Sequence, residues 1–233
     1  DILINSTIVL EKKYLNSSDV EISTLYGKTR KFNSAQDVQV VTSKNITIGD
    51  NHFVDIINKI PNFNVAGGTS RPRFFQIRGI GERSQYAGEG GPIYYIGTVL
   101  DDIDLSGIGM PIFLDDIKQI EIYQGPQSYV YGSNSMAGLI KINTIDPSNE
   151  KRNHLNVTLG NDNLYKFSNS ITLPISNKLF INNFFYYSTS DGFIYNTYLN
   201  DYRNNKVEVI EKVKLLFIPT NSFKSKSTFI YSN

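Results

Sequence analysis

The chain has 233 residues, 40% of them hydrophobic and 19% charged, with a net charge of +1. That balance removes the electrostatic case for nucleic acid, and the absence of cysteine removes disulfides and thiolate metal sites. No run of about 18 apolar residues reads as a transmembrane helix, and plentiful Tyr and Phe suit a β-rich protein.

The first 35 residues are polar and loosely patterned, without caps or sustained periodicity. Two strand-like runs interrupt them, Ser6-Thr7-Ile8-Val9-Leu10 and Val20-Glu21-Ile22-Ser23-Thr24-Leu25. Residues 1–35 therefore read as an extended, mobile arm. Asp37-Val38-Gln39-Val40-Val41-Thr42 alternates as a strand. Asp50 is placed to cap a helix, and Phe53, Ile56, Ile57 and Ile60 form one apolar stripe at spacings of three, four and seven. Pro61 stops that helix. Residues 73–79 and 93–103 read as strands around a glycine-rich loop, 79–91. Gly107 and Gly109 mark a second loop. Leu114–Ile117 reads as a helical turn leading into the strand Ile120-Glu121-Ile122-Tyr123.

Residues 125–144 hold the densest signal. A strand ends, a tight turn leads into one short helical turn, and a glycine stop precedes a new strand. Gly125 and Gly132 are expected at left-handed or strained angles. Pro126 suits the first helical position, and Gly138 opens the strand Leu139-Ile140-Lys141-Ile142-Asn143. Tyr131 stands just before Gly132. No catalytic side chain lies there, so the segment reads as architecture.

After Pro147 the texture changes. Leu155, Val157 and Leu159 alternate with Asn156 and Thr158, and Tyr165, Phe167, Ile171 and Leu173 alternate with Lys166, Ser168, Ser170 and Thr172. Residues 178–188, 207–218 and 223–232 continue the habit, separated by turns at Gly160–Asp162, Pro174–Asn177 and Pro219–Asn221. Segments of about ten alternating residues with a polar face are the pattern of a membrane β-barrel. About five strands cannot close the roughly 22-stranded barrel of a large plugged transporter, so a fragment is expected.

Motifs for chemistry are sparse. Gly79-Ile80-Gly81 would place the third glycine of a dinucleotide loop at Ser84, and no helix follows. Asp101, Asp102, Asp104, Asp115 and Asp116 are either ligands for a hard cation or exposed turn carboxylates; the EF-hand spacing is absent. His52 and His154 have no motif partner. Without a nucleophile–base pair, no enzyme activity is expected and no cofactor is called for.

The segment Gly-Pro-Gln-Ser-Tyr-Val-Tyr-Gly at 125–132, followed by Gly-Leu-Ile-Lys-Ile at 138–142, resembles the plug domain of TonB-dependent outer-membrane receptors. Three further elements fall in the family's order: Asp37–Thr42 as the opening strand, Asp55–Val65 as the helix and strand, and Ile77-Arg78-Gly79. Asn62 stands where the family usually has glycine, and asparagine is the next-best residue for a left-handed angle. Asp101-Asp102-Ile103 stands where Asp-Gly-Val is usual.

The resemblance implies an α+β plug domain over residues 36–148, preceded by a periplasmic arm at 1–35. The first roughly five antiparallel strands of a large transmembrane β-barrel would follow at 149–233. It further implies a short TonB box that adds as a strand to the energy-coupling protein. Residues 20–25 stand at the usual distance, with residues 6–10 as the rival. Loops that the family turns outward place ligand contacts on Thr69, Arg71, Arg83, Gln85, Tyr86 and Gly107, where arginine suits an anionic chelate and tyrosine offers a flat face. In the family, an arginine at the position of Arg78 pins the plug to the barrel wall. The implied protein imports a large scarce nutrient, such as a ferric siderophore, haem or cobalamin, across the outer membrane of a Gram-negative bacterium. Its partners would be TonB with its motor proteins, the ligand and outer-membrane lipid, with no nucleic acid. The alternatives are a signalling or docking receptor that moves nothing, and a soluble all-β binding protein.

Overall fold

The computed structural model describes residues 21–24, 27–30, 37–46, 53–66, 74–81, 94–108 and 114–233. Its first element is a hairpin, β1 (Glu21–Thr24) paired antiparallel with β2 (Gly27–Arg30). Residues 21–30 are thus not a free arm where they are described. Ile22 is buried against Val38, Val99, Tyr123 and Leu139, and this apolar knob organises the segment.

The central sheet has the order β3-β9-β10-β7-β8. Its strands are β3 (Val38–Thr42), β7 (Ile96–Leu100), β8 (Ile103–Asp104), β9 (Ile117–Tyr123) and β10 (Gly138–Thr144). The pair β7–β10 is parallel and the other pairs are antiparallel. Strand period puts Ile120, Ile122, Ile140 and Ile142 on one face and Tyr123 and Leu139 on the other. The isoleucine face packs on α1 (Phe53–Ile57) and on the small sheet of β4 (Phe63–Ala66), β5 (Phe74–Ile77) and β6 (Ile80–Gly81). The expected stripe Phe53, Ile56, Ile57 and Ile60 is buried there in full. The hairpin β1–β2 covers part of the opposite face through Ile22.

The turn geometry follows side-chain chemistry. Asn62 has φ 60°, as its place before a strand requires. Arg78 and Gly79 (φ 53° and 78°) close the β5–β6 hairpin, and Asp101 and Asp102 (φ 48° and 71°) close β7–β8. Two successive left-handed residues make the tight turn that matches strand twist. Aspartate tolerates this conformation, so Asp102 can occupy a glycine's place. In the signature segment, α2 (Ser128–Tyr131) ends at Gly132, whose φ of 82° bears out the expected left-handed stop. Gly125 is not among the left-handed residues, contrary to expectation. Pro126 sits before the N-cap Gln127 rather than inside the helix.

The second sheet has the order β11-β12-β13-β16-β17, antiparallel throughout. Its strands are β11 (Arg152–Gly160), β12 (Leu164–Pro174), β13 (Leu179–Ser190), β16 (Lys206–Thr220) and β17 (Phe223–Ser232). The expected turns at 160–162, 174–177 and 219–221 join them. The longer β13–β16 connection carries a hairpin of its own, β14 (Ile194–Asn196) with β15 (Asp201–Arg203). The polarity of this sheet is inverted relative to a water-facing one. Ser168, Ser170, Thr172, Asn182, Ser188, Lys212 and Lys214 are buried, whereas Val157, Phe167, Leu173, Tyr187 and Phe217 are exposed. Phe180, Phe184, Tyr186 and Ile210 are buried among these polar residues. A largely polar inner face and an apolar, aromatic outer face are what a wall strand between lumen and lipid needs.

Candidate functional site: the contact between plug and wall

The topology gathers three strand ends at one edge of the central sheet. Because β10 and β7 run parallel and β9 runs against them, the end of β7, the start of β9 and the end of β10 lie together. The residues at or just outside those ends are Asp101, the 3-10 turn Leu114–Asp116, and Thr144 to Asp146. This edge meets the polar face of β11, β12, β16 and β17.

The contact is a chain of alternating partners. Asp116 Oδ2 accepts from Lys212 Nζ, which also donates to Thr144 Oγ1. Thr144 donates from its Oγ1 to Asp101 Oδ2 at 2.6 Å and from its backbone N to Asp101 Oδ1 at 2.9 Å. Lys214 Nζ lies 2.7 Å from Asp101 Oδ1 and 3.3 Å from Asp146 Oδ1, and Lys226 Nζ reaches Asp146 Oδ1 at 2.9 Å. Beside this chain, Asp115 accepts from Asn156 Nδ2 at 3.0 Å and Ser168 Oγ at 2.8 Å. Lys212 also stands 5.8 Å from the centre of the Phe184 ring.

Asp101, Asp116, Lys212 and Lys214 are all buried. The reading of these aspartates as exposed turn carboxylates therefore fails for Asp101 and Asp116. Their electrostatics diverge for a reason visible in the geometry. Burial opposes ionisation of Asp101, but the Lys214 charge and hydrogen bond and the Thr144 donor outweigh it, so its carboxyl stays below the usual range. Burial likewise opposes ionisation of Asp146, and Lys226 and Lys214 overcome it, lowering the carboxyl to about 2. At Asp116 burial wins over Lys212 and pushes the carboxyl up to about 6. Its Oδ1 is sealed from solvent with no hydrogen-bond partner among the described residues. Among the described residues no group of His, Cys, Asp or Glu is arranged to hold a metal ion. Lysines occupy these carboxylates instead.

A second polar cluster lies on the opposite face of the central sheet. Glu121 is buried and accepts from Tyr123 Oη at 2.7 Å, Gln119 Nε2 at 3.0 Å and Asn143 Nδ2 at 2.9 Å. Burial, then the Glu121 charge, pushes the Tyr123 hydroxyl up, which keeps it a donor. Gln119 Nε2 also donates to the Glu21 carbonyl at 2.7 Å and so ties β1 to this cluster. Lys141 pairs with Asp102 at 3.0 Å and faces the Tyr131 ring at 5.7 Å.

The residues expected from sequence are distributed unevenly. Glu21–Thr24 form β1; Val20 and Leu25 lie outside the described residues, as do residues 6–10. Thr69, Arg71, Arg83, Gln85 and Tyr86 also lie outside them. Gly107 is described, with φ 75°, and a Cβ there would fall about 2 Å from atoms of the Tyr94 ring. It is thus a close-packing position under Tyr94, which stacks on Phe74 at 6.3 Å. Arg78 pairs with Asp37 of the plug at 2.7 Å, and both side chains are about half exposed. Such a pair contributes about 0–1 kcal/mol. Among the described residues the charged contacts to the wall are made by aspartates, not by Arg78. A side chain at Gly138 would force a shift of β10, because a Cβ would approach Tyr123 O to 2.6 Å and Ile77 Cδ1 to 2.5 Å. The wall lysines escaped the sequence reading. Their signal was present: Lys212 and Lys214 share one face of β16 with Ile210 and Leu216, and buried cations need counter-charges.

A mixed sheet with one helix layer, charge-locked to a sheet of inverted polarity, defines a plug seated against part of a barrel wall. Residues 30–139 match the family model described as the TonB-dependent receptor plug domain, and this segment is such a domain. Solved structures share the fold. The ferripyoverdine receptor of the Pseudomonas aeruginosa outer membrane aligns at TM-score 0.72 and 15% identity, over 93% of this chain and 28% of that one. The ferric yersiniabactin uptake receptor FyuA of Yersinia pestis aligns at 0.66 and 19%, over 80% and 29%. The ferric-catecholate import receptor Fiu of E. coli aligns at 0.66 and 12%, over 85% and 27%. The chain therefore spans less than a third of the length of these receptors, and its second sheet is a partial set of their antiparallel strands.

Proposed function

We propose that the chain is the plug and opening wall of an outer-membrane receptor that imports a ferric siderophore or a similarly large scarce nutrient. The observation that carries this reading is the plug seated by buried ion pairs on strands whose polar face turns inward and whose aromatic face turns out. The solved structures that share the fold are receptors for ferripyoverdine, ferric yersiniabactin and ferric catecholate, which favours an iron chelate among the possible cargoes. In this reading Thr69, Arg71, Arg83, Gln85, Tyr86 and Gly107 contact the ligand. Residues 20–25, or their rival 6–10, pair as a strand with TonB. Arg78 anchors the plug to wall strands beyond those described. The plug closes the lumen, and force delivered through the coupling strand rearranges it. The protein performs no covalent chemistry.

The test is uptake by cells carrying the full-length protein in the outer membrane. Labelled ferric siderophores, haem and cobalamin are each supplied, with and without TonB and with and without a protonophore. Accumulation of one cargo that requires both TonB and the proton gradient supports import. Binding without accumulation replaces it with a docking receptor.

A further inference from the structure

Of the carboxylates at the plug edge, Asp101, Asp116 and Asp146 face the wall lysines, and they are not equally satisfied. Asp101 has Thr144 N, Thr144 Oγ1 and Lys214. Asp146 has Lys214, Lys226 and, at 3.9 Å, Lys118, and it remains partly open to solvent. Among the described residues Asp116 has one side-chain partner, Lys212, on Oδ2. Its Oδ1 is buried with nothing among the described residues to accept from, a costly state for an ionised oxygen.

We propose that Asp116 is a proton-binding group of the plug–wall contact, and that taking up a proton there seats the plug more tightly on β16. This rests on reading the second sheet as barrel wall. The direction follows from linkage. A carboxyl held half-satisfied in the docked state gains a proton there more readily than when the plug edge is exposed to water, so mild acid favours docking. The groups facing Asp116 are Lys212 and Lys214 from β16 and Asp101 from the β7–β8 turn, with Thr144 hydrogen-bonded to Lys212. Asp101 and Asp146 stay ionised through this range because their carboxyls are lowered. Lys212, relieved of its partner, keeps Thr144 Oγ1 and the Phe184 ring. A rise to about 6 in the docked state, against 3.8 when exposed, strengthens docking about tenfold between pH 7.5 and pH 5.

The experiment uses full-length protein in detergent micelles. Hydrogen exchange is followed at the amide of Ile145, which donates to Asp116 O, and at that of Thr144, which donates to Asp101 Oδ1. Protection corrected for intrinsic rates should rise about tenfold from pH 7.5 to pH 5. Asp116→Asn should remove the rise, together with a protonated-carboxyl infrared band present in the parent at pH 5. Lys212→Met removes the nearest cation favouring the ionised form and should move the rise to higher pH, which guards against an Asn variant that fails to fold. Protection that is flat or falls with acid in the parent overturns the proposal, as does an unchanged rise in Asp116→Asn. Failure of the wall reading has a different signature: full-length protein that stays monodisperse without detergent.

Discussion

Removing the Lys214 ammonium should be among the most damaging single changes at the plug–wall contact. Lys214 and the Asp101 side chain are 0% and 1% exposed, so Lys214→Met strips a buried carboxylate of its cation while roughly preserving volume. Breaking one side of a buried pair costs about 3–5 kcal/mol when the other charge stays. Asp101 has an escape, which is to bind a proton. From its ordinary 3.8 to pH 7 that costs about 4 kcal/mol, at about 1.4 kcal/mol per pH unit, and this caps the loss. The expected penalty is therefore about 3–4 kcal/mol at pH 7, falling below about 2 kcal/mol at pH 5 as the cap drops. In an Asp101→Asn background the same Lys214→Met change should cost about 1 kcal/mol or less, because no buried charge is orphaned. Asp146 keeps Lys226 in every variant. Urea-dependent protease protection of the plug in full-length protein, at both pH values, measures all four corners. A single-variant loss below about 1 kcal/mol at pH 7, or one equal at the two pH values, would refute the buried-charge reasoning.

Two glycines should separate strain from space. Gly132→Ala meets open surroundings but a φ of 82° and should cost about 1–2 kcal/mol, whereas Gly138→Ala drives a Cβ into Tyr123 O and should cost about 1–3 kcal/mol with a shift of β10; thermal unfolding gives the first and exchange at Leu139–Ile142 detects the second. Ile22→Ser should cost about 2–3 kcal/mol of hairpin docking and expose residues 21–30 to protease while the Ile120–Ile142 core stays protected; equal protection would mean that Ile22 does not hold the hairpin. In strong acid the plug–wall contact should weaken. Asp101 and Asp146 have lowered carboxyls, so their stabilisation is complete above their ordinary 3.8 and is lost as pH falls toward about 2, which a protease-protection titration below pH 4 would show.

The sequence by itself determined the elements whose cause is local. The apolar stripe of Phe53, Ile56, Ile57 and Ile60, the alternation of β12, β13 and β16, and the turn at Gly132 all follow from period and backbone freedom. The order of motifs along residues 37–142 added the plug reading, because each element had to occur in sequence at compatible spacing. Only the tertiary structure decided what the charged residues do. Asp101 and Asp116 read as turn residues because nothing in their neighbours along the chain announces burial. They become partners of Lys214 and Lys212 through contacts spanning roughly a hundred residues. Strand period showed that those lysines share a face, but not which carboxylates would oppose them. The same holds for Ile22, which the strand-like run 20–25 marked as apolar but not as buried, and whose burial depends on a pocket made by β3, β7, β9 and β10. Local periodicity is set within a few residues, whereas the counter-charge for a buried ion is chosen by whichever strand ends the fold brings together.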